Sequence, residues 1–290
     1  MSHRAWIMAA RLPTLPAAVA PVLVGTAAAA HDGRLHVPSA LAALVVSLAI
    51  QIGTNFANDA SDFLRGADTA GRLGPPRVTQ LGLLRARTVL WGAYLCFGVA
   101  AVIGLIFVVR YGWPVAVVGA LAIAAGLAYT NGPWPIGYHG LGELFVFVFF
   151  GVVAVVGTTY VQTGGISPLA LAASVPVGLL CSAILVLNNL RDIDTDGAAG
   201  KRTLAVRVGP SATRMLYLGC LAGAALAPAA MRLAALTGGA FWLPWLALPE
   251  MLYLGHIVWW RRDAPALVAG LKRTARLHLG YGILLAASFL

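Results

Sequence analysis

Ten residues of this 290-residue chain are acidic, and six of them fall in two short stretches. The first, QIGTNFANDASDFLRGADTAGRLGPPRVTQ at 51–80, carries Asn55, Asn58, Asp59, Asp62 and Asp68. The second, LNNLRDIDTDGAAGKRTLAVRVG at 187–209, carries Asn188, Asn189, Asp192, Asp194 and Asp196. In each an Asn stands four residues before an Asp, Asn55 before Asp59 and Asn188 before Asp192. On a helix that spacing places amide and acid on one face. At an effective dielectric near 20, two carboxylates about 4 Å apart repel by roughly 4 kcal/mol. A cluster of acids therefore calls for protons or a bound cation. Hard oxygen donors select Mg²⁺ or Ca²⁺ over zinc, and Mg²⁺ commonly bridges one or two carboxylates to a substrate phosphate. Cations are interleaved with both clusters: Arg65, Arg72 and Arg77 after the first, Arg191, Lys201 and Arg202 around the second. Acids that hold a metal, with Arg and Lys beside them, suit a diphosphate. An ion-channel ring would want the acids without so many fixed cations.

The elements that must position these residues are membrane helices. Sixty percent of the residues are hydrophobic and only 10% are charged, where a soluble chain carries roughly a quarter; mean hydropathy is +0.83. A span needs about 20 apolar residues. Nine stretches qualify, at 13–30, 38–61, 88–109, 113–130, 140–162, 168–190, 211–235, 240–260 and 276–290. Arg4 and Arg11 precede an apolar run that reads as the first span rather than a secretory leader. With the N-terminus in the cytoplasm, 17 of the 20 Lys and Arg residues fall on the cytoplasmic side. Arg34, Arg110 and Arg232 are the 3 on the other. This sorting predicts orientation by the positive-inside rule and explains the net charge of +10 without nucleic acid. Both acidic stretches then lie at cytoplasmic ends, of spans 2 and 6. The two matched clusters suggest a weak internal repeat facing one cavity. Arg85, Arg87, Arg261, Arg262, Lys272 and Arg273 read as topology and head-group anchors.

A third polar stretch, AYTNGPWPIGYHGLGE at 128–143, links spans 4 and 5 on the same side. Its Gly and Pro residues make a shaped turn, and Tyr129, Asn131, Tyr138, His139 and Glu143 offer hydrogen bonds to a polar aromatic molecule. Cys96, Cys181 and Cys220 stand singly in apolar runs and read as packing residues. A lone Asp at a membrane helix end would be a solvated interfacial group. Matched acids with Asn on the same face point to function, because intramembrane polar residues are expensive to keep. A cation-coupled transporter built from two acidic half-repeats is the alternative of a different class, and a membrane scaffold is a third. Polar residues crowd on one side of the membrane, which disfavours transport, and a scaffold has no use for matched clusters.

Together with RLPTLPAAVAPVLVGTA at 11–27, these three stretches resemble the UbiA superfamily of intramembrane aromatic prenyltransferases. Within it they resemble the branch acting on 1,4-dihydroxy-2-naphthoate in menaquinone biosynthesis, over essentially the whole chain. The commoner first motif of the superfamily has a third Asp where Gly66 stands; here Asp68 comes later, as in the naphthoate branch. The basic residue usual before the Thr of the opening motif is absent from Arg11-Leu-Pro-Thr-Leu-Pro. The resemblance implies an all-α integral membrane protein, one transferase domain over 1–290. It would have about nine transmembrane helices around a central cavity, and a cytoplasmic cap from loops 2–3 and 6–7. It implies Mg²⁺ held by Asp59, Asp62, Asp68, Asp192 and Asp196, with Asp59, Asp62, Asp192 and Asp196 catalytic. Asn55, Asn58 and Asn188 would orient the acids, Arg65, Arg72, Lys201 and Arg202 would meet the diphosphate, and Tyr129, Tyr138 and Glu143 the acceptor. The implied partners are polyprenyl diphosphate, 1,4-dihydroxy-2-naphthoate and membrane lipid, and no nucleic acid. The implied reaction joins prenyl group to ring with loss of CO₂ and diphosphate. Another aromatic acceptor, such as a hydroxybenzoate, homogentisate or haem, is the alternative inside the superfamily.

The Lys/Arg sorting has a direct test. Cysteines introduced at Ala70 and Ala199 are expected to be shielded from an impermeant thiol reagent in intact cells and labelled after permeabilisation. Labelling of both from outside overturns the orientation.

Overall fold

A computed structural model describes residues 3–66, 74 and 76–290. Asp68, Arg72 and the probe position Ala70 lie outside the described residues. Those described form twelve α-helices and no strand: α1 His3–Ala10, α2 Pro16–His31, α3 Val37–Leu64, α4 Ala86–Tyr111, α5 Trp113–Ala128, α6 Gly142–Val146, α7 Ala154–Thr163, α8 Pro168–Arg191, α9 Ile193–Ala198, α10 Leu204–Leu233, α11 Leu248–Trp260 and α12 Ala264–Ala287. A π-helical segment, Phe147–Val153, joins α6 to α7.

Each of the nine expected stretches carries helix, but in 240–260 the α-helix is confined to Leu248–Trp260, after a turn and a 3₁₀ segment at Leu243–Ala247. Among the described residues, five segments are long and apolar enough to cross a membrane by themselves: Val37–Leu64, Ala86–Tyr111, Gly142–Thr163, Pro168–Arg191 and Leu204–Leu233. A sixth is obtained if His3–Thr14 and Pro16–His31 form one broken span, and Trp113–Ala128 is a shorter apolar helix. The protein is an all-helical, multi-pass membrane protein. Three other boundaries differ from expectation. The last helix begins at Ala264, not near 276, because Asp263 caps it: its carboxylate accepts from Ala266 N at 3.2 Å and Pro265 occupies the first turn. Lys272, Arg273 and Arg276 therefore sit on a helix, not in a loop. Helix α10 starts at Leu204, with a break at Gly209 (φ 83°, ψ 171°) near the expected start. Helix α3 runs on to Leu64 and stops at Gly66, whose φ of 70° favours glycine.

The chain divides into two compact units. The first comprises Met1–Leu15, Val45–Gly142 and Asn189–Pro210. Its apolar core gathers Ala5 and Ala9 of α1, Phe56, Ala57 and Ala60 of α3, and Val89, Ala93 and Phe97 of α4. Trp6 meets Phe56 edge-on at 5.3 Å between ring centroids. It fits because residue 92 is glycine; a Cβ there would come within 2.7 Å of the Trp6 ring.

The second unit comprises Pro16–Leu44, Glu143–Asn188 and Ser211–Leu290. Its backbones touch where side chains vanish. A Cβ on Gly25 of α2 would lie 2.4 Å from the Val155 carbonyl oxygen of α7. One on Gly151 would lie 2.7 Å from the Gly178 Cα of α8. In lipid, helices gain little from apolar burial against one another, so close packing of small residues holds them together. The expected outcome is that Gly25→Val destabilises by about 1–3 kcal/mol through overpacking. Gly98→Ala, where a Cβ meets nothing within 4 Å, should be neutral or slightly stabilising. Thermal unfolding of both in one detergent checks this.

Candidate functional site

The start of the first acidic stretch forms the last turns of α3, where Asn55, Asn58, Asp59 and Asp62 each have a partner. Asn55 donates through Nδ2 to Ala10 O at 3.0 Å and to Thr14 Oγ1 at 2.9 Å, tying the chain after α1 to α3. Asn58 accepts through Oδ1 from the buried Thr130 hydroxyl at 2.7 Å. Asp59, 1% exposed, takes three donors. Val78 N and Thr79 N each reach it at 3.3 Å, and the Thr79 hydroxyl completes the set. Asp62, also buried, accepts from the Tyr138 hydroxyl at 2.9 Å and from Arg77 Nη2 at 2.6 Å. Arg77 is itself buried, and its Nη1 donates to Asn58 O at 2.8 Å. One short strip of chain, residues 77–79, thus neutralises two acids of α3.

The second stretch is not a continuation of one helix face. Helix α8 ends at Arg191, and Asp192 (φ −98°, ψ 10°) separates it from α9. The Asp192 carboxylate is gripped by its neighbour, with Arg191 Nε and Nη2 at 2.7 and 2.5 Å. Asp196, on the inner side of α9, faces Lys201 Nζ at 3.5 Å, while Lys201 N donates to Asp196 O at 2.8 Å. Asp194 is exposed. Arg202 N donates to Tyr138 O at 3.1 Å, which joins this turn to the third polar stretch. Tyr138 is the pivot: Lys201 Nζ lies 5.2 Å from its ring centroid and the Arg65 guanidinium 5.7 Å. Arg65 also donates to Gly132 O.

Electrostatics link the two stretches within this first unit. Lys201 acts on both Asp62 and Asp196, and Asp62 acts on Asp196. Burial raises the Asp196 carboxyl above its ordinary value, against the pull of Lys201, and the charges of Asp192 and Asp62 add to the rise. Burial and the Asp62 carboxylate push the Tyr138 hydroxyl up, so that it stays a donor. Asp196 Oδ2 is buried with no hydrogen-bond partner. A buried anionic oxygen left unpaired is costly, and a hard cation is the ligand that fits it. Among the described residues, no three His, Cys, Asp or Glu side chains converge as a ready-made metal cage.

The chain has relatives among known proteins. The profile of the UbiA prenyltransferase family matches residues 18–279. This chain belongs to the UbiA prenyltransferase family. It is 48% identical over 222 residues to a 1,4-dihydroxy-2-naphthoate octaprenyltransferase of Mycobacterium tuberculosis, covering 76% of this chain and 75% of that one. It is 34% identical over 279 residues to the protein of the same name from Escherichia coli, covering 94% and 91%. The fold is similar to that of a UbiA homolog from Archaeoglobus fulgidus bound to DMAPP and Mg²⁺, with TM-score 0.68, 15% identity and coverage of 98% and 99%.

In this UbiA-family chain the structure gathers Asn55, Asn58, Asp59, Asp62, Arg65, Tyr138, Asp192, Asp196, Lys201 and Arg202 into the first unit. The Asp59 carboxylate accepts from Val78 N and from the backbone and hydroxyl of Thr79, and that of Asp192 from Arg191. Tyr129 serves through its backbone, accepting from Gly137 N at 2.9 Å, and its ring packs on Gly137. Arg202 exposes its side chain. Asn188 and Glu143 belong to the second unit, where the Glu143 carbonyl accepts from Ser182 Oγ at 3.1 Å. Sequence reasoning passed over Thr79 and Thr130, and it set Arg77 among the cations beside the first cluster without pairing it to Asp62. The signal for Arg77 was the Gly-Pro-Pro before it, a stiff lead-in to a fixed side chain.

If Asp59 is a staple, its loss is felt by the fold. Asp59→Ala strands two buried N–H groups and is expected to destabilise by about 2 kcal/mol or more. Asp194→Ala, at an exposed position, should leave the unfolding temperature unchanged. Equal thermal stability of the two variants would refute the staple.

Proposed function

We propose that this chain transfers a polyprenyl group from a polyprenyl diphosphate to 1,4-dihydroxy-2-naphthoate, releasing CO₂ and diphosphate and leaving demethylmenaquinol. The observation that carries the reading is that Tyr138 joins the two stretches: its hydroxyl donates to Asp62 at 2.9 Å, and Lys201, 5.2 Å from its ring centroid, pairs at 3.5 Å with Asp196, whose other carboxylate oxygen is buried and unpartnered. The names of the naphthoate-prenylating relatives support the choice of acceptor and donor. The whole of 1–290 acts as one transferase domain, and the site faces the cytoplasm, as the 17-to-3 sorting of Lys and Arg suggests.

Mg²⁺ is the cofactor of this reading. Asp62 and Asp196, with Asp192 beside them, offer the hard oxygen donors it requires, and the bare Asp196 oxygen is a place for it. Asp68 is a further candidate ligand. When bound, the ion offsets negative charge developing on the departing diphosphate. The chain's own residues do the rest. Arg77 and Lys201 neutralise carboxylates when no anion is present; turned to a diphosphate, the same cations hold the leaving group, with Arg65, Arg72 and Arg202 nearby in sequence. Tyr138 keeps its proton and fixes Asp62 by donating to it. Asp59 positions the strip that carries Arg77. Tyr129 remains a candidate for acceptor contact. Apolar membrane helices exclude the water that would quench an electron-deficient prenyl carbon.

The test is turnover by purified protein with Mg²⁺, a polyprenyl diphosphate and a panel of aromatic acids, with products identified by mass. Prenylated, decarboxylated naphthoate is expected, abolished by EDTA and restored by Mg²⁺. Asp62→Asn and Asp196→Asn should each remove nearly all turnover, and the double variant should lose little more, since residues acting as a unit are not additive. Asp263→Asn, which preserves a helix cap, should be nearly silent. Full activity in chelator, or transfer only to another acid, sinks the reading.

A further inference from the structure

A groove of about 440 Å³ runs along α12 in the second unit, bordered on its other side by Ala247 and Glu250 at the start of α11. One end is charged. Glu250 and Arg273 form a two-point ion pair, Nε to Oε1 at 2.7 Å and Nη2 to Oε2 at 2.6 Å. The Arg273 guanidinium also lies 4.1 Å from the centroid of Tyr253. Arg273, expected from the sequence to anchor head groups, is thus already neutralised. Arg276, one turn on, also borders the groove and is exposed. The net charge of this end is therefore positive. Beyond Arg276 the wall turns apolar, with Leu277, Gly280, Tyr281 and Leu284. The Tyr281 hydroxyl is turned away to Ala224 O at 2.7 Å, leaving only its ring to the groove. A Cβ at Gly280 would meet nothing within 4 Å, so the groove is open there.

The placement makes the charge informative. At 1.5 Å per residue, Arg276 lies about 18 Å along α12 from its first residue, and Leu284 about 12 Å further. Arg276 is the last cation of α12 before its wall turns apolar at Leu277, so an exposed guanidinium stands at the boundary between the charged and the apolar part of the groove. Basic pockets between membrane helices take the head groups of anionic lipids. The groove matches such a molecule in order: a cation for a phosphate, then a length of apolar wall for an acyl chain.

We infer that the groove beside α12 is a binding site for an anionic phospholipid, with its phosphate on Arg276 and one chain along Leu277, Gly280 and Leu284. It uses no residue of the transferase site.

The test is retention of lipid. Full-length protein is reconstituted in vesicles of equal parts phosphatidylglycerol and phosphatidylcholine, extracted in mild detergent, and its bound lipid counted by native mass spectrometry. Wild type is expected to keep phosphatidylglycerol over phosphatidylcholine. Arg276→Gln should lower that preference about tenfold, the loss of one charge-assisted contact, and Arg276→Lys should keep most of it. Gly280→Leu, which fills open space, should lower retention with the unfolding temperature preserved. Arg110→Gln, an exposed cation elsewhere, should change nothing. No preference in wild type, full preference in Arg276→Gln, or undiminished retention in Gly280→Leu overturns the site. Displacement of the lipid by excess inorganic phosphate alone would make it a phosphate site and overturn the lipid assignment.

Discussion

Buried carboxylates at the end of a membrane helix must be paired, and the first unit is arranged around that requirement. Asp59 and Asp62 are both nearly inaccessible to solvent. Stripping water from a charge costs several kcal/mol unless donors replace it. Residues 77–79 supply them: two backbone N–H groups and a hydroxyl for Asp59, a guanidinium for Asp62. Because Arg77 also donates to the Asn58 carbonyl, the strip is fixed to α3 at three successive points. The rest of the site hangs from this clamp. Tyr138 reaches Asp62, Arg202 reaches the Tyr138 backbone, and Lys201 follows with Asp196.

The two acidic stretches look alike in sequence and differ in physical role. Asp59 and Asp192 occupy equivalent positions after an Asn, and neither carboxylate is free. One is buried against backbone, the other held by an adjacent arginine. The acids one turn later are Asp62 and Asp196, and the charges of both Asp192 and Asp62 act on Asp196. Asp62 and Asp196, like Asp192, are each countered by a long cationic side chain that can turn toward a bound anion, whereas the backbone N–H groups on Asp59 cannot. That contrast separates a residue that shapes the site from one suited to work in it.

The second unit solves a different problem. Its helices gain little from apolar burial in lipid, so they come together by removing side chains, as Gly25 does toward α7 and Gly151 toward α8. Where close packing lapses, along α12, charge and apolar wall are left side by side. Cations on that helix divide into one that is neutralised, Arg273, and one that is exposed, Arg276.

Composition and spacing by themselves determined the all-helical membrane class, since few charged residues and long apolar runs admit no other fold. The same patterns placed helix on every expected stretch. The three polar segments were legible because acids, amides and prolines are rare in such a chain and stand out wherever they occur. The family could be named from them. What spacing could not decide was where each carboxylate points. Asn-to-Asp intervals of four placed Asp59 and Asp192 in the foremost roles, yet a helix face says nothing of which donors approach it from elsewhere in the chain. Thr79 and Arg77 come from a segment beyond the end of α3, and the break at Asp192 interrupts the second face. The charged start of α12 was read as loop because its lysine and arginines outweighed the Asp-Ala-Pro that caps it. Its ion pair with Glu250 joins two helices across twenty-three positions. Such pairings are fixed by how the helices pack, and only the tertiary structure decided them.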